Sequence, residues 1–481
     1  MMEQSKATQE NKMGVMPVKR LLITMSLPMM ASMLVQALYN IVDSMFVSRI
    51  GQDALTAVSL AFPVQMLLIA VGVGTGVGVN ALLSKSLGEK KFEEADRAAN
   101  CGVFLMLISY AVFCVFGIFG AGMFMETQVD MTQSNSEQIV EYGTSYLSIC
   151  MIMSFGILFE MMLERLLQAT GKTIYTMITQ GTGAVINIIL DPILIFGLCG
   201  MPKMGIAGAA VATAIGQIIA MILAVVFNLR KNTELHLSLR SMRPRAATIK
   251  AIYWVGIPAI IMQAIGSVMT YGMNKILVPF STTAVAVFGV YFKLNSFIFM
   301  PVFGLNNGLI PIIAYNYGAR KKKRIIEAVR FSMIIAVVIM FVGLGIFLSI
   351  PDKLLLLFDA SPTMLDIGVP ALRIIGTHFM LAGASIVMMS VFQAFGEGLL
   401  SLTVSALRQL VVILPVAYIL ANTAGLGYVW WSFPIAEACS LTLSSVFFMR
   451  LYRNKIKKYN MLREIKEENP NETGPISGRQ I

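Results

Sequence analysis

The sequence predicts an all-α integral membrane protein with twelve transmembrane helices arranged in two pseudo-symmetric six-helix bundles. Three observations support this fold class. Of the 481 residues, 57% are hydrophobic and only 13% are charged, roughly half the charged share of a soluble domain. Apolar runs of bilayer-spanning length recur along the chain. A repeat relates the first half of the sequence to the second.

Twelve apolar runs are long enough to cross a bilayer, which takes about 20 residues in a helix. They lie near 21–47, 54–83, 97–122, 139–166, 173–198, 205–229, 251–278, 284–313, 325–350, 367–394, 399–421 and 427–450. Short polar blocks separate these runs. An even number of spans places both termini on the same side of the membrane.

Basic residues are concentrated in alternate connections, and this bias predicts an orientation. The basic blocks include 85–97, 165–172, 230–250, 320–324 and 450–458, whereas the opposite connections hold little beyond Arg49, Lys203 and Lys353. By the positive-inside rule, both termini are predicted to be cytoplasmic. The net charge of +11 is then expected to meet anionic membrane lipids rather than nucleic acid.

The repeat supports the division into two bundles. A constant offset of 230 residues pairs Pro28 with Pro258, Gly74 with Gly304, Gly78 with Gly308 and Gly88 with Gly318. Six helices followed by six related helices in the same orientation are typical of transporters with a substrate path between the halves.

The predicted organisation has five parts. They are a cytoplasmic N-terminal segment (1–20), an N-terminal six-helix bundle (21–229), a cytoplasmic linker (230–250), a C-terminal six-helix bundle (251–453) and a cytoplasmic tail (454–481). The tail is polar and contains Pro and Gly, so we expect it to be disordered.

Polar residues in the first span form a stripe. Gln36, Tyr39, Asn40 and Asp43 are spaced i, i+3, i+4 and i+7, which places them on one face of a helix. A carboxylate at membrane depth costs roughly 3 kcal/mol. Asp43 therefore needs a partner, water or a proton, and it is the first functional candidate.

Two further spans of the first half offer partners for Asp43. Asn187 and Asp191 are one turn apart in the fifth span, and Thr213 lies in the middle of the sixth. If these groups converge, they form a site for a proton, and their oxygens would equally ligate Na⁺. The alternative is that Asp191 only caps or braces a helix end.

Glu160 and Glu164 are one turn apart near the predicted cytoplasmic end of the fourth span, beside Arg165. Either they form a solvated or locally salt-bridged pair, or they line the substrate path. Met33 belongs to a group of methionines in the first span whose flexible side chains suit a pocket for varied organic molecules. Lipid-facing bulk is the alternative for these methionines.

The second half has its own polar residues at membrane depth. They are Gln263, Lys293, Asn295, Asn306, Asn307, His378, Gln393, Arg408 and Glu437. His378 is either a cavity residue that carries protons or a histidine hydrogen-bonded to a neighbour. Lys293 and Glu437 are expected to pair as a brace between helices.

Signatures of enzymes and ATP-driven pumps are missing from the sequence. There is no Walker A motif, no HExxH and no Ser/His/Asp grouping within the spans. The glycines from Gly72 to Gly78 resemble a nucleotide-binding string, but they lie inside a span, where close helix packing is the better interpretation. No cofactor is expected other than a coupling ion.

Five segments together resemble one family. They are S-L-P with Q-A-L-Y-N-I-V-D in the first span, N-I-I-L-D-P-I-L-I-F in the fifth, G-I-A-G-A-A-V-A-T in the sixth, P-x-I-A-Y-N-Y-G after the eighth and W-S-F-P-I-A-E in the twelfth. Over nearly all of 15–455 the chain resembles the multidrug and toxic compound extrusion (MATE) family, in particular its MepA-like branch. The resemblance implies a MATE/MOP-type fold and export of small cationic or amphipathic drugs in exchange for H⁺ or Na⁺.

The resemblance also implies roles for individual residues. Ion coupling, by a proton or by Na⁺, falls on Asp43, Asn187, Asp191 and Thr213. Gln36 and Tyr39 would line the substrate cavity, to which Asn40 of the same stripe is also assigned, and the first helix would bend at Pro28. The seventh span has no acidic residue and the tenth has only Asp366 at its outer edge, so coupling through the second half is not expected.

The predicted function is that of a multidrug antiporter, acting as a monomer in a bacterial inner membrane. One alternative is a lipid-linked oligosaccharide flippase of the same superfamily, which would need extra helices and a cavity lined with Arg or Lys. The other is an intramembrane enzyme, for which the two isolated histidines supply no catalytic grouping.

Overall fold

The computed structural model of the chain describes residues 11–129, 136–237, 245–358 and 360–457. Parts of the predicted N-terminal segment, linker and tail therefore lie outside the described residues, and the domain boundaries stay predictions. Within the described ranges the regular structure is helical throughout, with no strand. The predicted all-α membrane fold is confirmed.

The described part of the first half contains nine α-helices. They are α1 (Lys12–Val15), α2 (Val18–Ser48), α3 (Gln52–Gly88), α4 (Phe92–Phe119), α5 (Ala121–Gln128), α6 (Ser136–Ile152), α7 (Phe155–Ala169), α8 (Thr173–Phe196) and α9 (Ile206–Lys231). The second half contains α10 (Ala246–Leu277), α11 (Thr282–Gly318), α12 (Lys322–Ser349), α13 (Pro351–Leu356), α14 (Pro362–Gly376), α15 (Phe379–Ala394), α16 (Gly398–Ala406), α17 (Leu414–Ala424), α18 (Leu426–Val429) and α19 (Ser432–Leu451). A π-helical segment, Leu407–Ile413, joins α16 to α17.

The described helices account for the twelve predicted spans. Among the described residues, ten helical segments are long and apolar enough to cross a membrane, and the number rises to 12 when each of two bent pairs counts as one span. The bent pairs are α6 with α7, at 43°, and α14 with α15, at 49°. These are the fourth and tenth spans, so equivalent spans of the two halves break at equivalent positions.

Glycines bring the two halves into contact. Helix α3 packs on α10, and α11 packs on α2. A Cβ added to Gly74 would lie 2.8 Å from the carbonyl oxygen of Gly256, and one added to Gly304 would lie 2.5 Å from the Cα of Met30. The backbones approach closely because no side chain separates them. The interpretation of these glycines as packing residues is confirmed.

The segment from Asn11 to Pro17 runs across one end of the molecule and touches both halves. We call it the strap. On the second-half side, the carbonyl oxygen of Met13 accepts hydrogen bonds from Asn316 Nδ2 (3.0 Å) and Arg324 Nη2 (3.0 Å). On the first-half side, Asn11 Nδ2 donates to Glu234 Oε2 (2.5 Å). Burial lowers the pKa of Lys12 in the strap.

The contacts of the strap bring several connections to the same end of the helices. Beyond Asn316 and Arg324, the strap reaches the carbonyl oxygen of Thr170, 3.2 Å from Asn11 Nδ2, and Lys321 Nζ donates to Gly14 (3.0 Å). The α7–α8, α9–α10 and α11–α12 connections therefore lie together. We call this the basic end because the basic blocks of the sequence fall there.

Candidate functional site

A cavity of about 80 Å³ lies inside the first half, between α2, α7, α8 and α9. We call it the first-half cavity. It is lined by Gln36, Tyr39, Ile157, Glu160, Met161, Glu164, Gln180, Gly183, Ala184, Asn187, Thr213 and Gln217. The lining contains two carboxylic acids and no Lys or Arg. Six of the residues singled out in the sequence line it, namely Gln36, Tyr39, Glu160, Glu164, Asn187 and Thr213.

Asn187 is the centre of a polar network at the edge of this cavity. Its Nδ2 donates to Thr213 Oγ1 (3.1 Å) and to Asp191 Oδ1 (3.3 Å). The bond within α8 follows from the i, i+4 spacing of Asn187 and Asp191. Asp191 is fully buried, and its second carboxyl oxygen has no hydrogen-bond partner among the described residues.

Asp43 completes the network from α2. Its side chain adjoins that of Asp191, and neither Asp43 Oδ1 nor Asp191 Oδ2 has a hydrogen-bond partner within the described ranges. Two carboxyl groups so close repel each other when both are ionised. A proton or a cation between them would relieve that repulsion. The structure thus brings together the four residues singled out for ion coupling.

Glu164 is not the solvated residue that one interpretation of the sequence allowed. Its side chain is only 3% exposed, and it accepts hydrogen bonds from Thr179 Oγ1 (2.6 Å) and Gln180 Nε2 (2.7 Å). Both donors come from α8, because α7 and α8 form an antiparallel pair joined by a short turn. The two bonds fix the Glu164 carboxyl at the cavity, one turn from Glu160.

Two predicted cavity residues lie elsewhere. Asn40 is exposed and Met33 is half-buried, and neither lines the first-half cavity. The reason is geometric. Successive residues of a helix are about 100° apart, so Asn40 and Met33 lie on one edge of the polar stripe and Tyr39 on the other. The cavity faces the Tyr39 edge, so neither Asn40 nor Met33 lines it, and a substrate-binding role for these two residues stays a prediction.

Pro28 lies inside α2, which continues through it as a single helix. Its carbonyl oxygen accepts a hydrogen bond from Ser32 Oγ (3.0 Å). On either side of it, Ser26 lies against Gly308 and Met30 against Gly304. Helix α2 is thus held on α11 at two points that flank the proline. Its role as a bending point stays a prediction.

A larger cavity, of about 450 Å³, lies in the second half and is bordered by Val73, Val77 and Arg165 of the first half. We call it the second-half cavity. All the membrane-depth polar residues named for the second half line it except Lys293. Its walls are also rich in Phe and Met. The polar residues that the sequence places at membrane depth in the second half therefore converge on one cavity, which the sequence alone did not predict.

The expected brace between Lys293 and Glu437 does not form. Glu437 Oε2 pairs instead with Arg408 Nη1 at 3.3 Å, and Lys293 Nζ lies 5.7 Å from the centre of the Phe358 ring. Arg408 belongs to the π-helical segment, where the change in helical pitch turns it toward α19. Periodicity alone could not predict this pairing because it assumes a regular α-helix.

His378 lies at the break between α14 and α15 and lines the second-half cavity, as predicted. Its Nδ1 is hydrogen-bonded to the carbonyl oxygen of Ile375. The ring is close to those of Phe299, Phe379 and Phe433. This is the environment of a hydrogen-bonded histidine on an apolar wall, and a role in carrying protons remains untested.

Arg165 lies inside a helix although the charge pattern of the sequence predicts it in a basic connection. It belongs to α7 and lines the second-half cavity. Its Nη1 donates to Gln168 Oε1 (2.8 Å) and, across the interface between the halves, to Asn307 Oδ1 (3.0 Å). The repeat contains a feature that distinguishes Arg165. An offset of 225 pairs Gln168 with Gln393 but pairs Arg165 with Ser390, so the positive charge of Arg165 has no counterpart in the second half.

Twelve spans in two related bundles, each with a polar cavity, define the class of polytopic membrane transporters. The MatE family model matches residues 28–193 and 258–419 of the chain, one stretch in each half. The chain therefore belongs to the MATE family, as the resemblance in the sequence indicated.

Relatives and solved structures agree with this assignment. Multidrug export protein MepA of Staphylococcus haemolyticus is 29% identical over 432 residues, covering 90% of this chain and 93% of the relative. The outward-facing conformation of a multidrug resistance MATE family transporter superimposes with a TM-score of 0.87 at 26% identity, covering 94% of this chain and 100% of the other. A MOP superfamily transporter from Pyrococcus furiosus, for which reverse polarity of the binding pocket suggests a different function, superimposes with a TM-score of 0.84 at 25% identity over 93% and 98% of the two chains.

Proposed function

We propose that the chain exports small cationic and amphipathic drugs across a bacterial inner membrane in exchange for inward movement of H⁺ or Na⁺. Its relatives are multidrug export proteins of Staphylococcus, and the family consists of membrane transporters. The positive-inside bias supports a topology with both termini in the cytoplasm.

The observation that carries this proposal is the charge of the first-half cavity. Glu160 and Glu164 line it and the carboxyl pair of Asp43 and Asp191 adjoins it. No described residue forms a salt bridge with any of these four groups, and the nearest base in sequence, Arg165, bonds to Gln168 and Asn307 instead. An acidic cavity without a protein cation favours cationic ligands and protons.

The two carboxyl pairs supply a way to couple drug and ion. A cationic drug would occupy the cavity beside Glu160 and Glu164 while the Asp43–Asp191 pair is ionised. Entry of H⁺ or Na⁺ at Asp43, Asn187, Asp191 and Thr213 then neutralises that pair and lowers the affinity for the drug. The cavity and the ion network share Asn187 and Thr213. Binding of an ion at one site therefore changes the affinity for the drug at the other.

Movement of the halves would complete the cycle. The glycine contacts and the strap hold the halves together at the basic end, which the charge bias assigns to the cytoplasm. This arrangement corresponds to an outward-facing conformer, and similarity to the outward-facing MATE structure supports the same state. Bending of α2 at Pro28 would release its two contacts with α11.

Gradient-driven efflux in proteoliposomes tests this function. The purified chain is reconstituted with a fluorescent cationic dye, and a pH or Na⁺ gradient is imposed separately. We expect one of the two gradients to drive dye movement in the wild type and neither to do so in Asp43→Asn. Full gradient-driven transport by Asp43→Asn would overturn the coupling assignment.

A matched substitution controls for loss of an acidic residue as such. Asp352 in α13 is exposed and makes none of the described ion pairs, so Asp352→Asn is expected to transport as the wild type does. Dye binding to purified Asp43→Asn, measured without a gradient, separates loss of coupling from loss of folding.

The flippase alternative has one observation in its favour, the presence of Arg165 and Arg408 in the second-half cavity. Arg408 is already paired with Glu437, and the first-half cavity is acidic. In the second-half cavity a pyrophosphate-linked substrate would contact one arginine without an ion pair, Arg165, rather than a surface of several basic residues. The charges of the two cavities therefore support drug export better than lipid-linked oligosaccharide transport.

A further inference from the structure

The second-half cavity holds a positive charge that drug–cation exchange does not use. Its charged lining residues are Arg165, Arg408 and Glu437. Arg408 and Glu437 neutralise each other at 3.3 Å. Arg165 donates only to two neutral amide oxygens, and no carboxylate of the described residues lies within 4 Å of it. The neighbouring Glu164 attracts Arg165 electrostatically but forms no ion pair with it, and its carboxylate accepts hydrogen bonds from Thr179 and Gln180 instead.

Two residues that line the same cavity carry buried acceptor oxygens without partners. Glu437 Oε1 and Asn306 Oδ1 make no hydrogen bond within the described part of the chain, although the two side chains are 3% and 5% exposed. A buried polar atom without a partner costs about 1–3 kcal/mol. Both residues line the cavity, so a ligand that carries donors would satisfy them.

The rest of the wall is apolar and adaptable. Phe292, Phe299, Phe303, Phe433, Met262, Met269, Met300 and Met389 contribute to it. The cavity volume of about 450 Å³ falls within the range of small-molecule sites, and a few convergent polar groups on an apolar wall are typical of them. Methionine side chains allow such a wall to fit ligands of different shape.

We propose that the second-half cavity is a second substrate site, which takes amphipathic molecules bearing an anionic group, with a carboxylate or phosphate on Arg165 and hydrogen-bond donors on Glu437 and Asn306. The inference rests on the proposed function, since it assigns a separate binding place in the same transporter to substrates that bear an anionic group. The first-half cavity, with its unpaired carboxylates, would repel the anionic group of the same molecules. The two cavities therefore divide the substrates by charge.

The test uses two dyes that differ in one charge, an amino-rhodamine with a free carboxylate and its methyl ester. Binding to the purified full-length protein is measured by fluorescence anisotropy, without any gradient. We expect Arg165→Gln to weaken binding of the carboxylate dye at least about tenfold, because a charge-assisted hydrogen bond is lost. Binding of the ester is expected to change less than about twofold, since it has no anionic group for Arg165.

Two further variants keep the test decisive. Arg165→Lys retains the positive charge and is expected to retain the preference for the carboxylate dye. Lys293→Gln removes a positive charge from the same half at a residue outside the cavity, and it should leave both affinities unchanged. Equal weakening of the two dyes by Arg165→Gln would assign Arg165 a structural role only and overturn the proposal.

The anionic group in the cell could belong to a soluble compound or to a lipid headgroup, and a competition arm separates them. A short-chain phosphatidylethanolamine is added to the protein with the carboxylate dye bound. Displacement that is lost in Arg165→Gln would indicate a headgroup phosphate on Arg165, and absence of displacement would indicate soluble carboxylates. Displacement that is undiminished in Arg165→Gln would contradict the site. Because these are binding measurements, they hold even if gradient-driven efflux fails.

Discussion

Gly88 and Gly318 make reciprocal contacts across the axis that relates the two halves. A methyl group on Gly88 would overlap the carbonyl oxygen of Tyr315, and one on Gly318 would overlap the carbonyl oxygen of Lys85. Lys85 and Tyr315 are themselves separated by the repeat offset of 230 residues. The ends of α3 and α11 touch through their backbones, which closes the basic end of the molecule.

Substitution of either glycine by alanine should separate the halves at this end. A backbone oxygen cannot turn aside as the tip of a side chain does, so the helices must move. We expect Gly88→Ala or Gly318→Ala to lengthen the distance between spin labels on the first turns of α4 and α12, and to slow transport.

Gly181→Ala is the matched control, because Gly181 in α8 has nothing within 4 Å of an added Cβ. Its effect should be neutral or stabilising by up to about 1 kcal/mol. Unchanged label distances in both interface variants would contradict the closing role.

The contribution of Thr213, an uncharged member of the polar network, can be tested by removing its hydroxyl group. Thr213→Val preserves the shape of the side chain and removes the oxygen that accepts from Asn187 Nδ2 at 3.1 Å. Loss of one such bond costs about 1 kcal/mol, which is roughly fivefold in affinity. We therefore expect a roughly fivefold rise in the coupling-ion concentration that half-saturates dye efflux. Thr213→Ser keeps the hydroxyl and should restore the wild-type value, and a valine variant with an unchanged half-saturation would remove Thr213 from the ion site.

Glu164 tests the cation selectivity of the first-half cavity. Glu164→Gln keeps the size of the side chain and removes its charge, so binding of a cationic dye should weaken roughly tenfold, the value of a hydrogen bond to a charged group. Affinity for an uncharged amphiphile should stay within twofold. Glu141→Gln in the exposed part of α6 makes the same charge change outside both cavities and should leave binding unaltered. Equal loss for the charged and uncharged ligands would argue that Glu164 only supports the fold.

The periodic features of the chain were predictable from its sequence. Twelve apolar runs predicted the spans, and the constant offset of 230, which pairs Gly74 with Gly304, predicted the two bundles. The polar residues Asp43, Asn187, Asp191 and Thr213 were predictable as candidates because each is costly at membrane depth. Their convergence depends on how α2, α8 and α9 pack, which no local pattern specifies.

Two features of the structure explain why some residues lie elsewhere than the sequence predicts. One is a local departure from regular α-helical geometry, and the other is the burial of charges that lie near the end of a span. The π-helical segment turns Arg408 toward Glu437 and leaves Lys293 with Phe358. Arg165 follows Glu164 near the end of a span, and such charges are normally solvated. Here both are enclosed, because α7 packs against α8 on one side and α11 on the other.

The strap offers a test of how the basic end is held closed. Arg324 joins it to the second half, with Nη2 donating to the carbonyl oxygens of Met13 (3.0 Å) and Met16 (2.6 Å). Arg324→Gln cannot reach both oxygens with a charged donor, so we expect hydrogen exchange of the amides from 12 to 16 to accelerate at least about tenfold. Lys323→Gln removes the same charge from an exposed neighbour and should leave exchange unchanged. If the strap holds the halves together, Arg324→Gln should also lengthen the distance between the labels on α4 and α12. Faster amide exchange with an unaltered label distance would mean that the glycine contacts alone hold the halves together and that the strap does not contribute.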